Sequence, residues 1–256
     1  MRYTFGDTIT ANDRLKKIAA FFNPLAIEFI RSNIHGHICS ALDLGCGPGY
    51  TTNMLASATN AIQVTGIDIS ENFLESARYS FNKYQFIKHD VTSLPLPVKA
   101  DLIYFRFLLS HLKNIRQLVK GWITSLTPGG YLVIDELEVI YTDNRLFKDY
   151  LAISDGLVKS QGAKLYIGKE LEEEFNGLNI CKNVSSLLPV KDCQAAEWFY
   201  PNTVSVWKNE EWVKNRLSQV EVREISEQLF RLSLDKTDKS SITWRMRKMI
   251  IKSDVK

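Results

Sequence analysis

The sequence predicts a doubly wound α/β fold, on three observations. Short, nearly continuous apolar runs recur at 38–44 (ICSALDL), 62–69 (IQVTGIDI), 84–89 (YQFIKH), 100–107 (ADLIYFRF) and 130–137 (GYLVIDEL). Helix-like stretches lie between them, and a glycine-rich turn follows the first. Such runs suit strands covered on both faces, and their alternation with helices requires right-handed crossovers and a parallel sheet.

Taken in order, Leu15, Ile18, Ala19 and Phe22 recur at helical spacing. Asn23 can then cap a second helix with Pro24 in its first turn and apolar Leu25, Phe29 and Ile30, so the chain is expected to open with a helical pair. The five runs are the core strands. Ser70 is the expected N-cap of a helix over 71–82, and a helix over 115–126 should stop at Thr127-Pro128-Gly129-Gly130. Beyond 140 the rhythm breaks. Residues 144–176 read as helical and polar-rich, 209–233 as a long helix capped by Asn209 with Glu210 and Glu211 in its first turn, and 241–252 (SITWRMRKMIIK) alternates like a strand. The expected layout over 1–256 is one domain: a helical lid (1–37), a ligand-binding core (38–139), a substrate-side insertion or cap (140–210), and a final helix and strand (211–256).

Composition narrows the function. At 256 residues the chain can bury one substantial core, and 45% hydrophobic with 24% charged residues is ordinary for a folded soluble protein. A net charge of +3 gives no electrostatic case for nucleic acid or membrane as the main partner. Cys39, Cys46, Cys181 and Cys193 lie far apart without metal-ligand spacing, so they are read as reduced thiols and no metal is expected. The N-terminal MRYTFGDTIT lacks the apolar core of a signal peptide, and no stretch approaches a membrane span. A cytoplasmic location is expected, as a monomer or homodimer. No internal repeat or low-complexity tract suggests a solenoid.

The chemistry is in the loop after the first strand, "ALDLGCGPGYTT". Gly45, Gly47 and Gly49 allow a ligand to approach backbone N–H groups more closely than a side chain would permit. A dinucleotide loop wants a further glycine or alanine where Tyr50 stands, which weakens a nicotinamide reading. Asp68 ends the next strand, where a carboxylate can accept from both hydroxyls of a ribose. Asp90, in "HDVTSLPLP", ends the third, within reach of an adenine edge.

Together these segments resemble the class I S-adenosylmethionine-dependent methyltransferases: "DLGCGPG" their first motif, "GIDIS" their ribose-binding acid, "HDVTSLPLP" their adenine segment and "LTPGGYLVIDE" the turn into their fifth strand. The resemblance covers about residues 38–137. It implies a Rossmann-like sheet of seven strands with the last antiparallel, the cofactor S-adenosylmethionine and its product S-adenosylhomocysteine, and a methyl acceptor. It also places Asp43 and Gly45 beside the methionine moiety, with Cys46, Gly47 and Gly49 shaping the turn and Thr51 adding a hydroxyl. Asp68 would hold the ribose, Ile69 would flank the adenine, and Asp90 and Val91 would bind its edge. The backbone near Phe105 and Arg106 would close the far side.

Other residues admit two readings. His111 in "YFRFLLSHLKN" is a candidate general base or an ordering hydrogen-bond partner. Arg106 suits an acidic substrate, the cofactor carboxylate, or pairing with Asp135 or Glu136. Arg14 suits the methionine carboxylate or a helix surface. Glu136, Glu138 and Tyr166 are candidate substrate contacts, against an acidic turn and core packing; Trp198, Phe199 and Tyr200 carry the same ambiguity. "WRMRK" fits a strand with one solvated edge better than RNA binding. The resemblance thus points to a small-molecule methyltransferase, of the trans-aconitate or natural-product O- or N-methylating kind. The rivals are a tRNA or protein methyltransferase, although "YFRFLL" lacks an Asn-Pro-Pro-Tyr or Asp-Pro-Pro-Tyr tetrad, and a non-catalytic S-adenosylmethionine-binding regulator.

Overall fold

A computed structural model describes residues 6–254; the readings that concern residues 1–5 and the final two residues lie outside them. Seven strands, β1 (Ser40–Leu44), β2 (Gln63–Asp68), β3 (Gln85–Lys88), β4 (Ala100–Arg106), β5 (Leu126–Thr142), β6 (Ile180–Val190) and β7 (Ile242–Lys252), form one sheet. Their order is β3-β2-β1-β4-β5-β7-β6. β1 to β5 pair in parallel, and β7 runs antiparallel to both β5 and β6. The doubly wound Rossmann-like sheet expected from the sequence is therefore present, last strand reversed.

The helices are α1 (Ile9–Asn33), α2 (Tyr50–Thr59), α3 (Glu71–Ser80), α4 (Ile115–Ile123), α5 (Arg145–Ser160), α6 (Leu171–Glu174), α7 (Asp192–Ser205), α8 (Glu211–Lys214) and α9 (Gln219–Ser233). Two apolar layers sandwich the parallel strands. On one side Leu44, Phe105 and Ile134 pack with Trp122 of α4. On the other Tyr104 and Val133 pack with Ile30 of α1 and Met54 of α2. A third cluster, rich in aromatics, joins α1, α5 and α7 to the far end of β7 through Phe22, Tyr150, Trp198, Trp207 and Trp244.

The expected helical pair is one continuous helix, α1, with Pro24 inside it. Proline removes one intrahelical donor, but Phe22, Ala26 and Ile30 form a buried stripe across it, and packing outweighs local propensity. Asn23 therefore caps nothing. Its amide donates to the Tyr50 carbonyl (3.1 Å) and its Oδ1 accepts from Arg106 (2.9 Å), tying α1 to the mouth of the sheet.

Ser70 caps α3 as expected, accepting from the Phe73 N–H. The turn at Thr127 to Gly130 lies within the early part of a 17-residue β5, rather than before it. The stretch 209–233 is not one helix: a break at Asn215–Leu217 separates α8 from α9, and α9 starts from a capping box between Ser218 and Glu221. The segment 140–210 is also more than a cap, since β6 joins the sheet through β7. β6 escaped detection because its burial alternates weakly at a sheet edge, "ICKNVSSLLPV" carrying Pro189 and few inward apolar residues.

Candidate cofactor and acceptor site

A cavity of about 250 Å³ runs across the C-terminal ends of the parallel strands, from β3 to the start of β7, beneath α1, α5 and α7. A doubly wound sheet leaves such a crevice where its strand order reverses, here between β1 and β4. At one end lie the glycine loop, Asp68, Ile69, Asp90 and Val91.

Gly45 has φ +65°, and a Cβ there would come 2.9 Å from Leu108, so the turn requires glycine. Gly49, at φ +86°, is the N-cap of α2; a Cβ would stand 3.0 Å from both Phe81 and Phe86. The loop is then fixed by Asp68. One carboxylate oxygen accepts from the Gly47 N–H (2.8 Å) and the other from the Ser70 N–H (2.8 Å). The carboxylate lines the cavity with acceptor capacity left over from these N–H groups, of the kind the hydroxyls of a ribose could use. Burial pushes the Asp68 carboxyl up, against the pull of those N–H donors.

Beneath the loop, Asp43 is buried, and its carboxylate accepts from the hydroxyls of Thr51 and Thr52 (2.7 Å each). Desolvation raises its pKa to about 7, opposed by the threonine hydrogen bonds and by the Arg106 charge. Asp43 thus clamps the start of α2 to β1. Asp90 accepts from the N–H and hydroxyl of Thr92, and these bonds hold its carboxyl below the usual range despite the desolvation that opposes them.

Arg106 ends β4. Its Nη2 donates to Asn23 and its guanidinium lies 5.7 Å from the Phe22 ring centre and 5.9 Å from that of Phe107, while Nη1 is buried and makes no hydrogen bond. The far end of the cavity is apolar, lined by Leu137, Ile140, Leu151, Leu165 and the rings of Trp198, Phe199 and Trp244. Above it, Arg14 donates to Asn202 (2.9 Å) and Asn202 donates to the Tyr150 hydroxyl (2.6 Å), a polar chain linking α1, α7 and α5. His111 is also at the wall; burial, with the Arg14 charge second, lowers its pKa to about 4, so its imidazole is neutral near pH 7.

A family model described as a methyltransferase domain matches residues 42–134, the strands and loops that build the cofactor end. Residues 42–134 are a class I methyltransferase domain. Across 95 residues the chain is 38% identical to trans-aconitate 2-methyltransferase of Paracidovorax citrulli (strain AAC00-1), a match covering 36% of each chain. The protein of that name from Sinorhizobium medicae (strain WSM419) is 27% identical over 177 residues, covering 68% of this chain and 66% of that one. The first match therefore spans about a third of the relative's length. Phosphoethanolamine N-methyltransferase 2 of Haemonchus contortus, solved with phosphomonomethylethanolamine and S-adenosylhomocysteine, shares the fold: the TM-score is 0.55 at 18% identity, over 90% of this chain and 52% of that one.

The structure brings Gly45, Cys46, Gly47, Thr51, Asp68, Ile69, Asp90, Val91, Arg106 and His111 of the matched segment to one cavity, together with Arg14 of α1. Asp43, Gly49 and Phe105 do not line it. Asp43 and Gly49 shape the loop from behind, and Phe105 packs on Trp122 in the core. The three expected substrate contacts also fall outside it. Glu136 is buried and accepts from the Leu108 and Leu109 N–H groups (2.7 and 2.8 Å), with its pKa raised to about 8 by burial. Glu138 pairs with Arg247 (3.2 Å) and accepts from Ser185 between strands. Tyr166 packs against the aromatic cluster. Strand alternation explains the two glutamates, because β5 continues past the cavity into pairing with β7, and Leu137 between them faces the cavity instead. Arg106 makes neither expected acidic pairing: its register partner is Asp135, yet its Nη2 bonds Asn23. The sequence missed Trp244, Asn202, Ser154 and Tyr150 as cavity residues; only tertiary packing brings them over the strand ends.

Proposed function

We propose that this chain is an S-adenosylmethionine-dependent methyltransferase acting on a small-molecule acceptor. The observation that carries the proposal is the convergence of the glycine loop, Asp68 and Asp90 from three neighbouring strand ends on one cavity. The residues fit an adenosine-bearing cofactor: Gly45 leaves no room for a side chain, and the Asp68 carboxylate lines the cavity with acceptor capacity to spare. In this reading Asp68 holds the ribose, Ile69, Asp90 and Val91 surround the adenine, and the Nη1 of Arg106 faces the amino-acid carboxylate. When bound, the cofactor supplies a methyl group already activated for transfer.

The protein's part is then to hold the acceptor in line and exclude water. The apolar end under α1, α5 and α7 serves both purposes. His111 lines the same cavity and is the candidate base for an acceptor that must lose a proton, a weak one given the burial that lowers its pKa to about 4. The matched relatives carry trans-aconitate in their names, but the family match ends at residue 134, before the residues from Leu137 to Trp244 that line the acceptor end.

The test is calorimetric titration with S-adenosylhomocysteine, followed by methyl transfer from S-adenosylmethionine to a panel of small acceptors. Absence of S-adenosylhomocysteine binding sinks the proposal. Binding with activity only on tRNA, falling steeply with salt, would move the assignment to the nucleic-acid class.

A further inference from the structure

Most of the cavity's charges lie at the end that the cofactor would use, and Arg14 is held above the apolar end by Asn202. Its lining holds two aspartates, Asp68 and Asp90, at the β2 and β3 ends, and two arginines, Arg14 and Arg106. His89 and His111 complete the titratable lining apart from the phenol and thiol groups. Arg14 is engaged with Asn202, and Arg106 is the cation whose Nη1 remains available for the cofactor's carboxylate. A tricarboxylate bound beside that cofactor would bring three further negative charges into a mostly apolar compartment whose overlying Arg14 is already engaged by Asn202, and buried charges without partners are strongly disfavoured.

What remains for the acceptor is apolar. Leu137, Ile140 and Leu165 form one wall, and Trp198, Phe199 and Trp244 another. The rings of Tyr150 and Phe199 are stacked at 4.2 Å with 16° between planes and Phe199 and Trp244 lie 20° apart, so these three are nearly parallel, while Trp198 stands edge-on to Trp244 at 88°. Flat rings pack on such faces with dispersion and quadrupole complementarity.

Resting on the methyltransferase reading, we propose that the acceptor is an uncharged, predominantly apolar molecule with a flat ring system, seated against Trp198, Phe199 and Trp244. This departs from the polycarboxylate acceptor that the matched relatives' names specify. The acceptor presents one polar atom towards the glycine loop and leaves the rest of its surface against hydrocarbon.

The experiment is isothermal titration of the full chain, saturated with S-adenosylhomocysteine, with 2-naphthol and separately with trans-aconitate. The expected result is 2-naphthol affinity at least 10-fold tighter than that of trans-aconitate, reduced 10-fold or more by Ile140→Arg and by Leu165→Glu. These two variants place a charge at half-buried positions on different elements, so the misfolding of one leaves the other informative, and circular dichroism checks both. No 2-naphthol binding, tighter trans-aconitate binding, or indifference to both folded variants overturns the proposal. Failure of S-adenosylhomocysteine to bind would instead strike the methyltransferase reading; 2-naphthol is then titrated into the free protein, where the same variant pattern decides the nature of this compartment.

Discussion

Replacing Asp68 with alanine tests the cofactor end most directly, because that carboxylate has two duties. In the free protein it accepts from Gly47 and Ser70 N–H groups at 2.8 Å each, locking the glycine loop to the start of α3. Hydrogen bonds to a charged acceptor contribute about 1.5–3 kcal/mol apiece. Water can reach part of the vacated site, since both bonds are only partly buried, so a stability loss of about 2–4 kcal/mol is expected. The second, proposed duty is to accept from a cofactor ribose, and its loss should weaken S-adenosylhomocysteine binding by about 1–3 kcal/mol, or roughly 5- to 150-fold. Urea unfolding measures the first and calorimetric titration of the folded variant the second. Asp68→Asn separates them, because its amide oxygen still accepts the Ser70 N–H while its NH₂ opposes Gly47. Unchanged nucleoside affinity in folded Asp68→Ala would refute the ribose assignment, whatever happened to stability.

Other outcomes follow from the buried acids and the histidine. Glu136→Ala leaves the Leu108 and Leu109 N–H groups without their acceptor and should destabilise by about 2–4 kcal/mol, whereas Glu136→Gln keeps an oxygen for both and should cost less than half as much; equal losses by denaturant unfolding would show that the bonds to this loop are not what matters. Asp43 and Glu136 hold protons more tightly folded (about 7 and about 8) than unfolded, so their contribution to stability is full below pH 4 and is lost as pH rises through 7 to 8, with a slope limited to about 1.4 kcal/mol per pH unit per group. His111 works oppositely, since its lowered pKa favours the fold above its ordinary value of 6.5, so the decline should be read between pH 6.5 and 8.5, and Glu136→Gln should flatten it. His111→Ala should reduce turnover about 100-fold with S-adenosylhomocysteine affinity unchanged; near-normal turnover would leave the imidazole a wall residue. Gly49→Ala should lower the melting temperature by several degrees through contacts with Phe81, Phe86 and Ala77, and an unaltered thermal transition would mean α3 yields easily.

The cofactor end was legible because its information is local. Strand, glycine turn and acid follow one another within "ALDLGCGPGYTT" and "VTGIDIS", and β-strand geometry alone carries Asp68 and Asp90 to the same sheet edge. The ends of β1, β2 and β4 were read to within two residues at each boundary for the same reason: continuous apolar burial on both faces leaves an unbroken pattern. Asn23-Pro24 misled because a cap-and-proline signature is a local preference of about 1–3 kcal/mol, overridden by the buried stripe of Phe22, Ala26 and Ile30.

By itself, then, the sequence determined a doubly wound sheet with a reversed last strand and the convergence of the glycine loop, Asp68 and Asp90 at its carboxyl edge. Only the tertiary structure decided the acceptor end. Trp198, Phe199 and Tyr150 sit on helices whose packing over the sheet is set by contacts spanning up to 188 residues, such as Arg14 with Asn202. Which face of β5 meets the cavity was likewise open until pairing with β7 turned Leu137 inward and committed Glu136 and Glu138 to hydrogen bonds elsewhere. Side chains brought together by long-range packing leave no periodic trace in the chain, so the donor side of this site could be read from residue order and the acceptor side required the fold.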